Sequence, residues 1–185
     1  MAPLNRKLLD RFWLVVKYAL VAVVLVFIIR GFILIPVPVD GNSMEDTLKQ
    51  GDMILMEKFT DIQRFDVVVF QLPDGNIYIK RIIGLPGEKV DYIDDQLYID
   101  DEPMDEPFLT ANRKHDDESA PFTTDFKLEE LIGQNHLPAS SYFVLGDNRR
   151  MSKDSRSFGV VDSQYILGKA QFVYYPITHI KYIPR

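Results

Sequence analysis

Beyond residue 38 the sequence predicts a predominantly antiparallel β domain, preceded by one long apolar helix. Two observations carry the β reading. Seven runs, "DMILMEKF", "FDVVVFQL", "NIYIKRIIG", "EKVDYI", "QLYID", "YFVLG" and "KAQFVYYP", are strand-length and rich in Ile, Val, Tyr or Phe. Turn chemistry separates them: "LPDGN" is a hairpin turn, "LPGE" fits a type II turn around Pro86 and Gly87, and "IDDQ" is a tight reversal. A third observation, the change of pattern at Pro36 and Pro38, marks where the helix must stop.

The helix reads as follows. "FWLVVKYALVAVVLVFIIRGFILIP" is the most apolar stretch of the chain. Crossing about 30 Å of hydrocarbon takes about 20 predominantly apolar residues. Tyr18–Ile29 is uncharged but short; Phe12–Val16 completes the span if Lys17 snorkels to the headgroups, with Trp13 and Tyr18 at the near interface and Arg30 at the far one. No small-x-small cleavage site follows, so an uncleaved anchor over 12–35 is expected rather than a removed leader. Arg6, Lys7 and Arg11 precede the span, which puts residues 1–11 in the cytoplasm and 36–185 outside.

Few helical signals interrupt the strands: "TLKQ" after Ser43, "FKLEELIG" stopped by Gly133, and "DSQYILGK" stopped by Gly168. Residues 99–140 differ from the rest. They carry Pro103, Pro107, Pro121 and Pro138, show little periodicity, and read as a surface excursion or small subdomain with "RKHDDESA" as its tip loop. Residues 91–130 hold 14 of the 27 acids against Arg113, Lys114 and Lys127, a net of −11 in a chain of net charge −6. A solvated acidic face fits this better than a calcium loop, which needs alternating ligands and a turn glycine. The charge argues against nucleic acid as a partner, and the absence of cysteine removes disulfides, thiolate catalysis and Cys-based zinc sites. No metal or cofactor is expected.

"GNSMEDTL", Gly41–Leu48, holds the first candidate for chemistry. Ser43 and Asp46 form Ser-x-x-Asp, close to a capping box, so Ser43 could simply start a helix. As a nucleophile it needs a base. His115 lies in the acidic loop, His136 in a polar linker and His179 near the carboxyl end, none in a motif-like setting. Lysine is the other option, because Ser-Lys pairs perform the same acyl transfer. Lys80 sits in "NIYIKRIIG", where a strand would put Tyr78, Lys80 and Ile82 on one face among apolar neighbours. Such a setting disfavours the ammonium and lowers its pKa, whereas an edge-strand lysine would merely discourage aggregation. The third stretch, "GDNRRMSKDSRSFG", Gly146–Gly159, is either a hydrophilic loop with an Asp154/Arg156 surface pair or the support of a site.

In this order behind one anchor, the three stretches resemble bacterial type I signal peptidase (leader peptidase), in its single-anchor, Gram-positive-type form. "GNSMEDTL" is similar to the nucleophile box, "RFDVVVF" to a following strand box, "YIKRIIGLPGE" to the lysine box and "GDNRRMSKDSRSFG" to the late polar box. The resemblance covers nearly the whole chain. It implies a mainly β fold of two antiparallel sheets, with a barrel-like catalytic core and a smaller β-rich region near 99–140.

It also implies a membrane-anchored Ser/Lys endopeptidase, free of cofactors, that removes signal peptides from exported preproteins after small-x-small sites. Its surroundings would be the lipid bilayer and the secretion translocon. By the same analogy Ser43 is the nucleophile, Lys80 the general base and Met44 part of the site's lining. Ser152 hydrogen-bonds the lysine, while Arg81, Asp154 and Arg156 support the site. Gly41 stands where some members carry an oxyanion-donating serine, so a second donor must come from backbone or water. Asp46 departs from the proline the family often has after Ser-Met-x. Two rivals remain: a self-cleaving Ser/Lys protein resembling the SOS-response repressors, and an inactive membrane-tethered homologue that binds exported peptides.

Overall fold

The computed structural model of the protein describes residues 3–32, 34–58, 60–114 and 120–185. His115 and most of the expected tip loop lie outside them. The chain divides into two units, Met1–Ile35 and Pro36–Arg185. The first is one helix, α1 (Pro3–Phe32). Among the described residues no helix is long and apolar enough to cross a membrane; Asp10 and Arg11 precede the apolar run and Lys17 interrupts it. Arg30, expected at the far interface, lies outside the described side chains.

The second unit is β-rich. The strands are β1 (Leu34–Pro38, begun in the first unit), β2 (Met53–Glu57), β3 (Val67–Gln71), β4 (Ile77–Gly84), β5 (Val90–Ile93), β6 (Gln96–Ile99) and β7 (Glu102–Met104). After α2 (Thr110–Lys114) come β8 (Phe126–Lys127), α3 (Leu128–Ile132), β9 (Ser141–Leu145), α4 (Ser155–Phe158), β10 (Val161–Asp162), β11 (Ile166–Tyr175) and β12 (Lys181–Tyr182). The larger sheet runs β1-β2-β11-β3-β4-β9-β10, with β12 also on β11. The smaller runs β7-β6-β5-β8. The ladders from β2 onward are antiparallel.

Each of the seven runs read as strands forms one, because its β-branched and aromatic residues can cover one or both faces of a sheet. The turns hold as well. Gly75 takes φ 85° between β3 and β4, and Gly87 takes φ 84° with Glu88 N donating to Leu85 O at 3.2 Å. Asp94 and Asp95 sit at φ 50° and 64°, the left-handed pair that a two-residue hairpin demands. The ten-residue β11 organises the larger sheet. It pairs with β2, β3 and β12, and its ladder slips at three places, which lets the sheet bend.

Three readings are corrected. The residues after Ser43 form a turn closed by Leu48 N donating to Met44 O at 2.8 Å, and no helix follows. "DSQYILGK" is not a helix stopped by Gly168: a 3-10 turn over Ser163–Tyr165 passes straight into β11. The alternation of Ile, Gly and Ala is strand-like, and a Cβ on Gly168 would come within 2.4 Å of the Glu57 carbonyl oxygen across the ladder. The region around 99–140 is more than a surface excursion. Phe108, Leu109, Phe122, Phe126, Leu128 and Leu137 are buried in one cluster with Ile83, Val90, Tyr92, Phe143 and Leu145, so the two sheets share a core. The acids interspersed among these apolar residues hid the pattern.

The Gly168 contact yields a direct check. Gly168→Ala should destabilise the protein by about 1–3 kcal/mol, the usual cost of an extra methyl with no room, seen as a lower denaturation midpoint; an unchanged midpoint would contradict the close β2–β11 approach.

Candidate active site

Strand β4 sets the site through its alternation. Ile82 joins a cluster with Val68, Phe70, Val144 and Val161, and Lys80 shares that face. Ile83 and Arg81 point to the opposite face, toward the core between the sheets. Across the ladder Lys80 sits opposite Val68, an apolar neighbour. Lys80 is 3% exposed. Its Nζ donates to Ser43 Oγ at 2.7 Å and to Ile79 O at 3.0 Å. Burial pushes its pKa down from 10.5 to about 8, against the smaller upward pull of Asp154 and then Asp147. The ordinary strand lysine, solvated at an edge, is not what stands here.

Ser43 is fixed from the other side. Its carbonyl accepts from Asn148 N at 3.1 Å, and Asn148 Nδ2 donates to Asn42 O at 3.1 Å. The late polar loop therefore grips the turn that carries the serine. Gly146 makes the approach possible: a Cβ there would meet Ser43 O at 2.4 Å and Ser152 Oγ at 2.2 Å. Met44 is buried beneath the turn, and Gly41 enters it at φ 85°. Ser43, Lys80, Met44 and Gly41 all border one cleft of about 530 Å³ walled by Val37–Val39 and Ile77–Ile79, with Met151 and Lys153 at its rim.

The residues expected as supports have the following contacts. Arg81 is fully buried; its Nε and Nη2 reach Asp147 Oδ1 and Oδ2 at 2.8 and 2.5 Å, while Nη1 donates to the carbonyls of Phe65 and Pro184. Asp154 is no surface residue: it is fully buried, caps α4, accepts from Gly146 N at 3.1 Å and pairs with Arg156 through Nε and Nη2, both at 2.8 Å. Ser152 does not hydrogen-bond Lys80. Its Oγ is buried without a partner, packed against Gly146.

Among the described residues, neither His136 nor His179 is found with Ser43. His179 pairs with Asp52, His136 borders a separate pocket near Lys89, and His115 is not described. Three residues emerge that the sequence did not single out. Asp147 partners Arg81. Arg149 runs buried to Glu106 and Thr123, linking the polar loop to the smaller sheet's side of the unit. Asn112 reaches Glu45 and Asp147. Asp147 and Arg149 were visible inside a dense polar loop, but only folding assigns their partners. Asn112, alone in an aperiodic acidic stretch, gave no signal.

Chemically, a serine hydroxyl within hydrogen-bond reach of a buried amine of lowered pKa can be deprotonated without an imidazole. Known proteins have related sequences. The family described as signal peptidase, peptidase S26, matches residues 12–175. Signal peptidase IB of Staphylococcus aureus (strain MRSA252) is 39% identical over 170 residues, 88% of this chain and 88% of that protein. Signal peptidase I V of Bacillus subtilis (strain 168) is 41% identical over 162 residues, 85% of this chain and 95% of that one. The crystal structure of a signal peptidase I from Enterococcus faecalis V583 superposes with a TM-score of 0.57 at 41% identity, covering 60% of this chain and 97% of that chain. A match reaching from residue 12 to 175, with relatives near two-fifths identity over most of both chains, settles the family: this chain belongs to the signal peptidases of peptidase family S26.

Proposed function

We propose that the protein is a membrane-anchored serine endopeptidase that removes amino-terminal signal peptides from exported preproteins, with Ser43 as nucleophile and Lys80 as general base. The observation that carries this reading is the 2.7 Å contact between Lys80 Nζ and Ser43 Oγ at the floor of an open cleft. Neutral Lys80 takes the serine proton as the oxygen attacks the scissile carbonyl. The oxyanion forms beside the Ser43 backbone N–H, with no side-chain donor at Gly41. The lysine then protonates the leaving amine and next activates the water that hydrolyses the acyl-enzyme. With a pKa of about 8, about a tenth of the enzyme holds the neutral base at pH 7.

Substrate geometry follows from the sheet. β3 pairs with β4 from Ile77 to Arg81, but β9 joins β4 only from Arg81 onward. The far edge of Ile77–Ile79 thus borders the cleft opposite Val37–Val39, and an extended peptide adds as a strand there. Val39, Ile79 and Met44 give the cleft an apolar lining, in keeping with cleavage after small-x-small sites. Residues 12–35 would anchor the enzyme with its amino terminus in the cytoplasm and 36–185 outside, near the secretion translocon, so that enzyme and preprotein meet on one membrane surface at raised effective concentration.

Ser43→Ala and Lys80→Ala should each reduce preprotein cleavage in detergent or vesicles by about 1,000-fold or more, as loss of an activated nucleophile or its base does elsewhere, while circular dichroism stays native. Lys80→Arg should fail too, since guanidinium stays charged. Cleavage retained by Lys80→Ala would eliminate the dyad.

The buried amine also sets two pH dependences. The rate constant kcat/KM should climb as pH rises through about 8. Because the folded pKa lies below the unfolded one, the stability cost of charging Lys80 is fully present below pH 8, fades between 8 and 10.5, and is gone above. Lys80→Met should therefore raise stability at pH 7 by about 1–3 kcal/mol, with the gain shrinking toward pH 10.5. Denaturant melts at pH 7 and 10 measure it; an equal difference at both would show that the ammonium is not destabilised by burial.

A further inference from the structure

Between the Ser43 turn and the smaller sheet's side of the unit stands one amide. Asn112 lies on α2, which follows the buried Phe108 and Leu109, and it is itself buried. Its Nδ2 donates twice: to the Glu45 carbonyl, two residues past Ser43, and to the Asp147 carbonyl at 3.1 Å. Its Oδ1 is buried without a hydrogen-bond partner. A buried amide with an idle acceptor carries a desolvation cost that hydrophobic packing would avoid. Its donor end is the half that makes contacts, and both contacts lead to the reacting pair.

The two carbonyls belong to different arms of the site. Glu45 continues the turn that holds Ser43. Asp147 clasps Arg81, the residue after Lys80 in β4, and sits beside Asn148, which holds Ser43 O. The serine turn is thus held at Asn42 and Ser43 by Asn148 and at Glu45 by Asn112. Without the amide, the turn keeps the Asn148 contacts and its Leu48–Met44 closure but loses its tie at Glu45, which gives Ser43 Oγ more freedom to shift relative to Lys80 Nζ. Asn112 does not border the cleft, so the peptide's own contacts are left in place.

We propose that Asn112 is a positioning residue: it joins the Glu45 and Asp147 carbonyls so that Ser43 is held at hydrogen-bond distance from Lys80, and through it the region around 99–140 governs the catalytic rate. The proposal rests on the Ser43/Lys80 peptidase reading and adds to it a role for a segment that lies outside the motif boxes. Misplacing a reacting group by 1 Å can cost about 100-fold in rate, whereas binding elsewhere is unaffected.

The test uses the full chain in detergent, a preprotein carrying an Ala-x-Ala site, and temperatures well below every variant's melting midpoint. Asn112→Ala should lower kcat by about 10- to 100-fold with KM changed less than about threefold. Asn112→Leu keeps the side chain's approximate volume without the donor and carries the same test if the alanine variant does not fold. Asn112→Gln keeps an amide donor and should retain more kcat than either. A purely structural role would lower the midpoint and leave kcat per folded molecule unchanged; that result, or a raised KM at unchanged kcat, overturns the proposal. A wild-type chain that leaves the preprotein intact overturns the peptidase reading and this one with it, whereas an active wild type with kcat unaltered in the folded variants overturns this one alone.

Discussion

The amine of Lys80 is kept poorly solvated even though two carboxylates lie near enough to pull its pKa upward. That balance is the constraint on which the site depends, and the sequence meets it by giving each carboxylate an arginine. Asp147 is clasped by Arg81 and Asp154 by Arg156. Their negative charge is largely answered before it reaches the lysine, so burial wins. A buried ion pair is weak support for stability as such, because desolvation offsets much of its attraction. Here the pairs serve geometry: they pin the loop from Gly146 to Gly159 against β4 and β9, and this loop in turn holds Ser43.

The two sheets cooperate in the same task. Arg149, buried in the polar loop, pairs with Glu106, which also accepts from the Tyr92 hydroxyl at 2.8 Å. Burial and the adjacent Glu106 push the tyrosine up to about 12, so it stays a neutral donor across the physiological range. Arg81 stacks over Phe108 with 4.0 Å to the ring centroid. Charged groups of one region are thereby seated on aromatic groups of the other, and neither sheet can shift without disturbing the loop between them.

Much of this was legible in the residues. Strand existence followed from β-branched runs and turn chemistry, and the alternation in "NIYIKRIIG" placed Lys80 on a face with Tyr78 and Ile82. Legibility failed where tertiary contacts override local pattern. Gly168 looked like a helix stop but is a strand glycine demanded by a backbone crossing. Asp154 and Arg156, polar and two residues apart, could be read as a surface pair, but the fold buries Asp154 fully and leaves Arg156 15% exposed. The apolar positions of 99–140 were masked by the acids interspersed among them, and long-range partners such as Arg81 with Asp147 cannot be read from spacing.

The half-paired stretch of β4 has a consequence for the protein at rest. Ile77 is 58% exposed on a strand whose far rim, among the described residues, lacks a paired strand until Arg81. An uncovered apolar rim invites edge-to-edge association with any extended chain, including another copy in concentrated solution. Besides Lys80 at its floor, Asp40 and Lys153 are the charged residues that line that opening among the described residues. The open edge proposed to take a peptide would therefore be shielded from such association whenever the cleft is occupied.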